Sequence, residues 1–318
     1  LAGHGLVVVT GGCGFIGSHL VRRLAADERP VRVLDDLSNG DPGRLPAGVE
    51  LRQGDVSDPA FVRPAIAGAG VVFHLAAVAS VVQSNQRWFA SHIVNSGGSV
   101  AVMEAIRDET PEARFVYASS AAVYGNVRLE PGEKIGEDAP ARPLGPYGVD
   151  KLGTELHASA AGSLFGLRSF GLRFFNVFGP GQDPGSPYSG VISRFVAAAA
   201  SGGPITVFGD GEQTRDFVHI DDVVASLLLA EEAADASAPI VNISTGVGSS
   251  INELAALVAG QFEPAPRVEH AAARPGDIRR SLGDPSLAHQ LLGWQASVSL
   301  AEGLASLVAS EGTSTAGR

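Results

Sequence analysis

Tyr147 and Lys151 lie four residues apart in a 318-residue chain that holds four tyrosines and only two lysines. At that spacing both side chains share one face of a helix. An ammonium beside a phenol favours the phenolate, so the pair predicts a tyrosine of lowered pKa, a usable base near neutral pH. Taken alone, the pair could equally be a surface contact with no chemistry. The run Ser119-Ser120-Ala121-Ala122-Val123-Tyr124-Gly125 changes the balance, because it follows Arg114-Phe115-Val116-Tyr117-Ala118, which reads as a strand. Open α/β sheets bind ligands at the C-terminal ends of their strands. A serine hydroxyl there can hydrogen-bond the oxygen that Tyr147 deprotonates.

A second constellation is the loop Gly11-Gly12-Cys13-Gly14-Phe15-Ile16-Gly17. It follows the β-branched run Leu6-Val7-Val8-Val9-Thr10 and precedes Phe15, Ile16, Leu20, Val21 and Leu24 at helical spacing. Between a strand and a helix, this is a dinucleotide-binding pattern. Gly11 permits the tight turn, Gly14 lets the backbone approach a pyrophosphate, and Gly17 allows helix and strand to pack closely. The helix N-terminus then offers free N–H groups to the phosphates. Asp35, a little over 20 residues after Gly11, ends the next strand. A carboxylate there accepts from a ribose diol and repels a 2′-phosphate, which favours NAD over NADP. Asp36 shares that role or is a turn residue; Asp55 and Val56 flank the adenine, unless Asp55 caps the following helix. Cys13 reads as a small packing residue.

These residues need a parallel sheet to position them. Short apolar runs at 31–34, 50–52, 71–75, 114–118 and 172–175 alternate with helical patterns, including 94–106 and 147–164, which is the βαβ signature. After the Pro/Gly stretch 179–187 come shorter elements: helices at 191–200, 221–232 and 251–260, strands at 205–207 and 241–243. The fold class is therefore α/β, a Rossmann-like doubly wound parallel sheet with a smaller C-terminal α/β substrate-binding lobe. Residues 1–176 make the NAD-binding domain, with about 216–245 returning to it, and 177–318 are mainly the substrate lobe. Twenty-three basic against 34 acidic side chains give a net charge of −11, which excludes the basic face of a nucleic-acid binder. No apolar run reaches a membrane span. The single cysteine points to a reducing, cytoplasmic setting. No metal-ligand spacing occurs: His219, beside Asp221 and Asp222, reads as a helix N-terminal turn, and His74 as a satisfied core histidine.

Thr10-Gly-Gly-Cys-Gly-Phe-Ile-Gly17, His74-Leu75-Ala76-Ala77, Ser119-Ser120, Tyr147-x-x-x-Lys151, Arg173-Phe-Phe-Asn176 and Arg274-Pro-Gly-Asp277 together resemble the extended short-chain dehydrogenase/reductase family. Within it the chain looks most like nucleotide-sugar 4-epimerases of the UDP-glucose and UDP-N-acetylglucosamine type, from about residue 6 to 307. The resemblance implies tightly held NAD, with Leu75, Ala76 and Ala77 beside it, and a UDP-sugar bound between two lobes. It implies Ser120, Tyr147 and Lys151 as the catalytic residues, Lys151 also holding the nicotinamide ribose. Asn176, Arg215 and Arg274 look like diphosphate contacts, Asp277 like the partner of the uridine ribose, and Val191 and Ser281 like further substrate contacts. Arg215 and Arg274 could instead be ion-pair partners only. A homodimer through 94–106 and 147–164 is also implied, with Ala158, Ala160 and Ala161 allowing close packing. One departure is Ala79, where relatives often carry a long polar or basic side chain near the nicotinamide.

Rivals on the same fold are weighed at single positions. Dehydratases of the family need an acid/base pair just after the catalytic hydroxyl, and decarboxylases usually a glutamate at the second position; here Ala121 and Ala122 stand there. A fucose-forming reductase-epimerase would show a cysteine beside the serine. Epimerisation at C4 remains. Ser281 matches a position where strict UDP-glucose epimerases carry tyrosine, so a small residue leaves room for an N-acetyl group at C2. The segment 182–192 also looks like that of N-acetylhexosamine-accepting relatives. Arg194 raises the competing possibility of a uronate, as in glucuronate 4-epimerases. A non-catalytic NAD sensor or scaffold would be expected to lose Ser120, Tyr147 or Lys151, and all three are present.

Overall fold

In the computed structural model, which describes residues 5–130, 132–182, 190–274 and 276–315, the first half of the chain alternates strand and helix. The elements are β1 (Leu6–Thr10), α1 (Phe15–Ala26), β2 (Val31–Asp35), β3 (Glu50–Gln53), α2 (Pro59–Ile66) and β4 (Ala69–His74). Then come α3 (Val81–Gln86), α4 (Trp88–His92), α5 (Gly98–Glu109), β5 (Arg114–Ser120), α6 (Pro146–Phe165) and β6 (Arg168–Phe174). The second half holds β7 (Asn176–Phe178), α7 (Val191–Ala200), β8 (Ile205–Phe208), β9 (Thr214–His219), α8 (Ile220–Ala233) and β10 (Ile240–Ile243). It closes with β11 (Gly248–Ser250), α9 (Ile251–Ala259), β12 (Val268–Ala271), β13 (Arg280–Ser281), α10 (Ser286–Leu292) and α11 (Leu300–Thr315).

Seven parallel strands in the order β10-β6-β5-β4-β1-β2-β3 make the large sheet, the doubly wound arrangement expected. Alternate residues of each strand serve opposite faces. Val7, Val9 and Phe73 pack with Leu20 and Leu24 of α1 and Val223 and Leu227 of α8. Val8, Val72 and Phe115 pack with Ile66 of α2, Ile106 of α5 and Ala158 of α6. Burial on both faces is why these strands read as continuous apolar runs. A third core, around Phe178, Phe195, Val207, Phe217 and Leu254, lies under β7–β9, α7 and α9. There β9 pairs with β7, β11 and β13, while β8 pairs with β12.

Two local expectations change. The helix expected from residue 94 is longer and interrupted: α4 runs into a π-turn at Ile93–Gly97 and continues as α5. The π-turn turns Asn95 inward, where it accepts from Val78 N at 2.7 Å and donates to Val78 O at 3.3 Å. A side-chain clamp on a distant backbone has no signature in helical periodicity. Second, the α2 N-cap is Asp58, which accepts from Ala60 N. Asp55 forms its own turn instead, accepting from Ser57 N at 2.8 Å. Helix α6 is bounded as its sequence dictates, with Pro146 in its first turn and Gly166 left-handed (φ 71°) after its end.

Candidate active site

The loop after β1 is shaped by backbone proximity. Gly11 has φ +69°, and a Cβ there would lie 2.7 Å from Ala76 N; at Gly17 it would lie 2.1 Å from the Gly11 carbonyl oxygen. Only glycine fits either place. Gly14 caps α1 without any side-chain hydrogen bond, so Phe15, Ile16 and Gly17 open the helix with N–H groups directed at the loop. Asp35, buried at the end of β2, accepts from Cys13 N and Leu37 N, each at 2.9 Å. Burial raises its pKa, against the pull of those two N–H groups. A glycine cradle, an uncapped helix N-terminus and a carboxylate at the neighbouring strand end fit a dinucleotide. Asp36 is turned to its own loop, accepting from Ser38 N and Ser38 Oγ. Cys13 is fully buried and its thiol is pushed up to about 12.

Beside this loop, Thr10 Oγ1 takes N–H bonds from Leu75 and Ala76 and bonds Nδ1 of His74 at 2.8 Å. His74 Nε2 bonds Ser99 Oγ at 3.0 Å, and Ser99 donates to the Asn95 carbonyl. Ser99 has then spent its proton, so His74 Nε2 is the donor and Nδ1 accepts from Thr10. Burial holds the imidazole neutral, its pKa pushed down to about 3. It is a satisfied core histidine that holds Thr10 Oγ1, and through it the backbone N–H groups of Leu75 and Ala76.

The two serines at the end of β5 part company. Ser119 points inward and donates to Glu155, whose carboxylate is held by Arg173 Nε at 3.0 Å and Nη2 at 2.7 Å. Ser120 accepts from Ala122 N at 3.1 Å and faces the hydroxyl of Tyr147 as its hydrogen-bonding partner. Lys151, buried one turn further along α6, donates to the Ala118 carbonyl at 2.8 Å, with its ammonium 5.8 Å from the Tyr147 ring centre. The expected lowering of the tyrosine pKa is not found. Burial pushes the phenol up to about 12, and only Ser120 pulls it down. Desolvation wins because the Lys151 ammonium is turned to Ala118 and is itself pushed down to about 8 by burial, against Asp150 and Glu155.

Of the residues expected to contact the substrate, Asn176, Arg215 and Ser281 lie on the small sheet. Arg215 on β9 lies level with Ser281 on β13, and Asn176 opens β7, level with Phe217. Arg215 is ion-paired with Asp277 and donates to the carbonyls of Thr214 and Ile278. Arg274 lies across the Phe208 ring at 3.7 Å. Asn176 donates to the Asp216 carbonyl at 3.0 Å. Val191 is the first residue of α7 and half-buried; residues 183–189 of the segment before it lie outside the described residues. Arg194 is exposed on α7. His219 caps α8, its Nδ1 accepting from Asp221 N. Among the described residues no group of three metal-ligating side chains occurs.

A sequence model of the NAD dependent epimerase/dehydratase family matches residues 7–244, three quarters of the chain. The chain belongs to that family. The family's dependence on NAD agrees with the glycine cradle and Asp35. Over 313 residues the chain is 36% identical to the UDP-glucose 4-epimerase of Mycolicibacterium smegmatis, covering 95% of this chain and 96% of that protein. The crystal structure of Thermotoga maritima UDP-glucose 4-epimerase with UDP-glucose superposes with a TM-score of 0.92 at 33% identity, covering 98% of this chain and 99% of that one. The UDP-N-acetylglucosamine 4-epimerase of Methanobrevibacter ruminantium, in complex with UDP-N-acetylmuramic acid, superposes at 0.91 and 32% identity, with the same coverage. Sequence reasoning missed four residues that support the site in this chain: Asn95, Ser99, Thr154 and Glu155. Their roles lie in contacts across 17 to 55 positions of sequence, which no local pattern displays.

Proposed function

We propose that the protein interconverts UDP-sugars epimeric at C4, UDP-glucose with UDP-galactose, and accepts UDP-N-acetylglucosamine and UDP-N-acetylgalactosamine as a second pair. The observation that carries this is the convergence of Ser120, Tyr147 and Lys151 at the C-terminal end of β5, on the same edge of the parallel sheet as the glycine loop after β1, with Ala121 and Ala122 where eliminating relatives need acids or bases. Tyr147 accepts the proton of the sugar 4-hydroxyl, Ser120 donates to that oxygen, and Lys151 supplies N–H donors to the nicotinamide ribose. When bound, NAD supplies a hydride acceptor that becomes the donor, so C4 is oxidised and then reduced on its other face with no net redox change. Burial that pushes the phenol up to about 12 makes the phenolate a strong base once formed and the phenol a reluctant acid, so ionisation of Tyr147 depends on what its partners supply when the site is filled. Asn176, Arg215 and Arg274 are assigned to the diphosphate and Asp277 to the uridine ribose; releasing Arg215 from Asp277 would free both for these tasks. Gly11, Gly14, Phe15, Ile16, Gly17, Asp35, Asp36, Asp55 and Val56 are assigned to the cofactor.

Ser281 supports the second substrate pair. It is small, half-buried and level with Arg215, so its own side chain takes up little of the volume that a tyrosine at this position would fill. The uronate alternative leans on Arg194, whose exposure on α7 lends it less. We assign the large sheet to the NAD domain and the small sheet with its helices to the substrate lobe. A homodimer is proposed through the 94–106 segment, which is α5 with the π-turn before it, and α6, where Val149, Leu156 and Leu164 stand exposed, with Phe89 of α4 exposed beside them. Ala160 is exposed on α6, whereas Ala158 packs inward. Among the described residues no helix is long and apolar enough to cross a membrane; the lone cysteine supports a cytoplasmic setting. The test is anomeric-proton NMR of the purified protein with UDP-glucose, UDP-N-acetylglucosamine or UDP-glucuronate, without and then with added NAD. A 4-epimer mixture from the first two is expected. Unchanged spectra throughout would overturn the reading.

A further inference from the structure

One buried carboxylate has no task in this reaction. Asp150 precedes Lys151 on α6, and its side chain is 1% exposed. Its Oδ1 accepts from Nδ1 of His92 at 2.7 Å, while Oδ2 is buried and has no hydrogen-bond partner among the described residues. A half-satisfied buried carboxylate opposes folding, and an uncharged side chain would cost less there. The Thr154 hydroxyl lies 3.1 Å from both the Asp150 carbonyl and Ser99 Oγ and gives its one proton to one of them, so Asp150 borders the polar seam that leads through Ser99 and His74 to Thr10.

The charged and polar groups around Lys151, on its own helix or on elements packed against α6, are few. From α6 itself come Asp150, Glu155 and Tyr147; from β4 comes His74, held neutral by burial; from β6 comes Arg173. The adjoining part of β5 brings the Ala118 carbonyl and Ser119, and the π-turn and first turn of α5 bring Asn95 and Ser99. Helix α4 brings His92. Glu155 is spent: two guanidinium nitrogens of Arg173 and the Ser119 hydroxyl close around it, and the guanidinium cancels most of its field at Lys151. Among the described residues Asp150 is answered only by an imidazole, half of whose surface reaches solvent.

Burial alone disfavours an ammonium, yet Lys151 must stay charged to offer its N–H donors. We propose that Asp150, held in place by His92, is a positioning residue: the counter-charge that keeps Lys151 an ammonium inside the closed site. This rests on the role given to Lys151 above.

The chain suits a direct test, because Lys134 and Lys151 are its only lysines. Protein labelled with 13C at lysine Cε would show two titrating signals, the exposed Lys134 serving as reference. Asp150→Asn is expected to lower the Lys151 midpoint from about 8 by roughly one pH unit, leaving Lys134 unmoved. Asp150→Glu should restore the midpoint. In turnover, kcat of Asp150→Asn should fall about fivefold at pH 8 and little at pH 6.5; a merely structural role would lower it at every pH. Should Asp150→Asn fail to fold, His92→Arg at the exposed end of α4 sets a permanent cation against the carboxylate and should lower the midpoint in the same direction. A Lys151 midpoint unmoved by these changes, or moved equally by Asn and Glu, would overturn the proposal. A shifted midpoint in a protein that turns over no UDP-sugar would uphold the charge coupling and overturn the epimerase reading instead.

Discussion

At the scale of single residues, the site keeps an ionisable group where water cannot reach it. Among the described residues Lys151 makes one hydrogen bond, to Ala118, and its pKa is depressed from 10.5 to about 8. A folded-state pKa below the unfolded one means that the unfolded chain binds the extra proton between those values. The cost to stability is therefore full below pH 8 and fades as the pH rises through 8 to 10.5. Lys151→Met should accordingly unfold at higher urea at pH 7, by on the order of 2 kcal/mol after the lost hydrogen bond is counted. That advantage should shrink at pH 10.5, and turnover should be lost. An equal gain at both pH values would show that the lysine is not buried as a charge. The same residue shows what sequence could reveal. Spacing placed Tyr147 and Lys151 on one helix face; it could not show that the ammonium turns to a strand carbonyl and leaves the phenol's pKa to burial.

At the scale of elements, the β1–α1 junction depends on absent side chains. In an ordinary helix interior, glycine to alanine stabilises by up to about 1 kcal/mol. At Gly17 the sign reverses, because the new Cβ meets the Gly11 carbonyl at 2.1 Å and Gly12 Cα at 2.7 Å. Gly17→Ala should lower stability by about 1–3 kcal/mol and strip bound NAD, read from thermal melts and the absorbance of released cofactor. Unchanged melting with full NAD content would sink this account of the loop. The π-turn before α5 is the complementary case. It was not legible, since its purpose is to reach Val78 through Asn95, and the sequence between residues 88 and 109 carries no mark of that distant partner.

At the scale of the whole molecule, apolar surface is concentrated on one side. Phe89 is 79% exposed and Leu156 64%, on adjoining helices. Side chains of that size at helical spacing ask for a partner, and the homodimer proposed above would supply a self-complementary one. Leu156→Glu should convert a dimer to a monomer in light scattering, with the fold retained by circular dichroism. A wild-type protein of monomer mass, or a dimer indifferent to the change, would remove this interface.

Periodicity and local steric demand are properties of the chain itself, so the sequence determined the parallel sheet, the glycine turn, the ends of α6 and the pairing of Tyr147 with Lys151. It also narrowed the chemistry, by placing alanines where eliminating relatives need acids. What only the tertiary structure decided depends on distance through space. Ser119 and Ser120 are adjacent and alike, yet one is tied to Glu155 and the other faces Tyr147, because successive strand residues point to opposite faces. Arg215 and Asp277, 62 positions apart, are partners only because β9 and β13 lie side by side. Burial raised the pKa of Tyr147 and lowered that of Lys151, and burial is a property of everything packed around a group, which no spacing within the sequence contains.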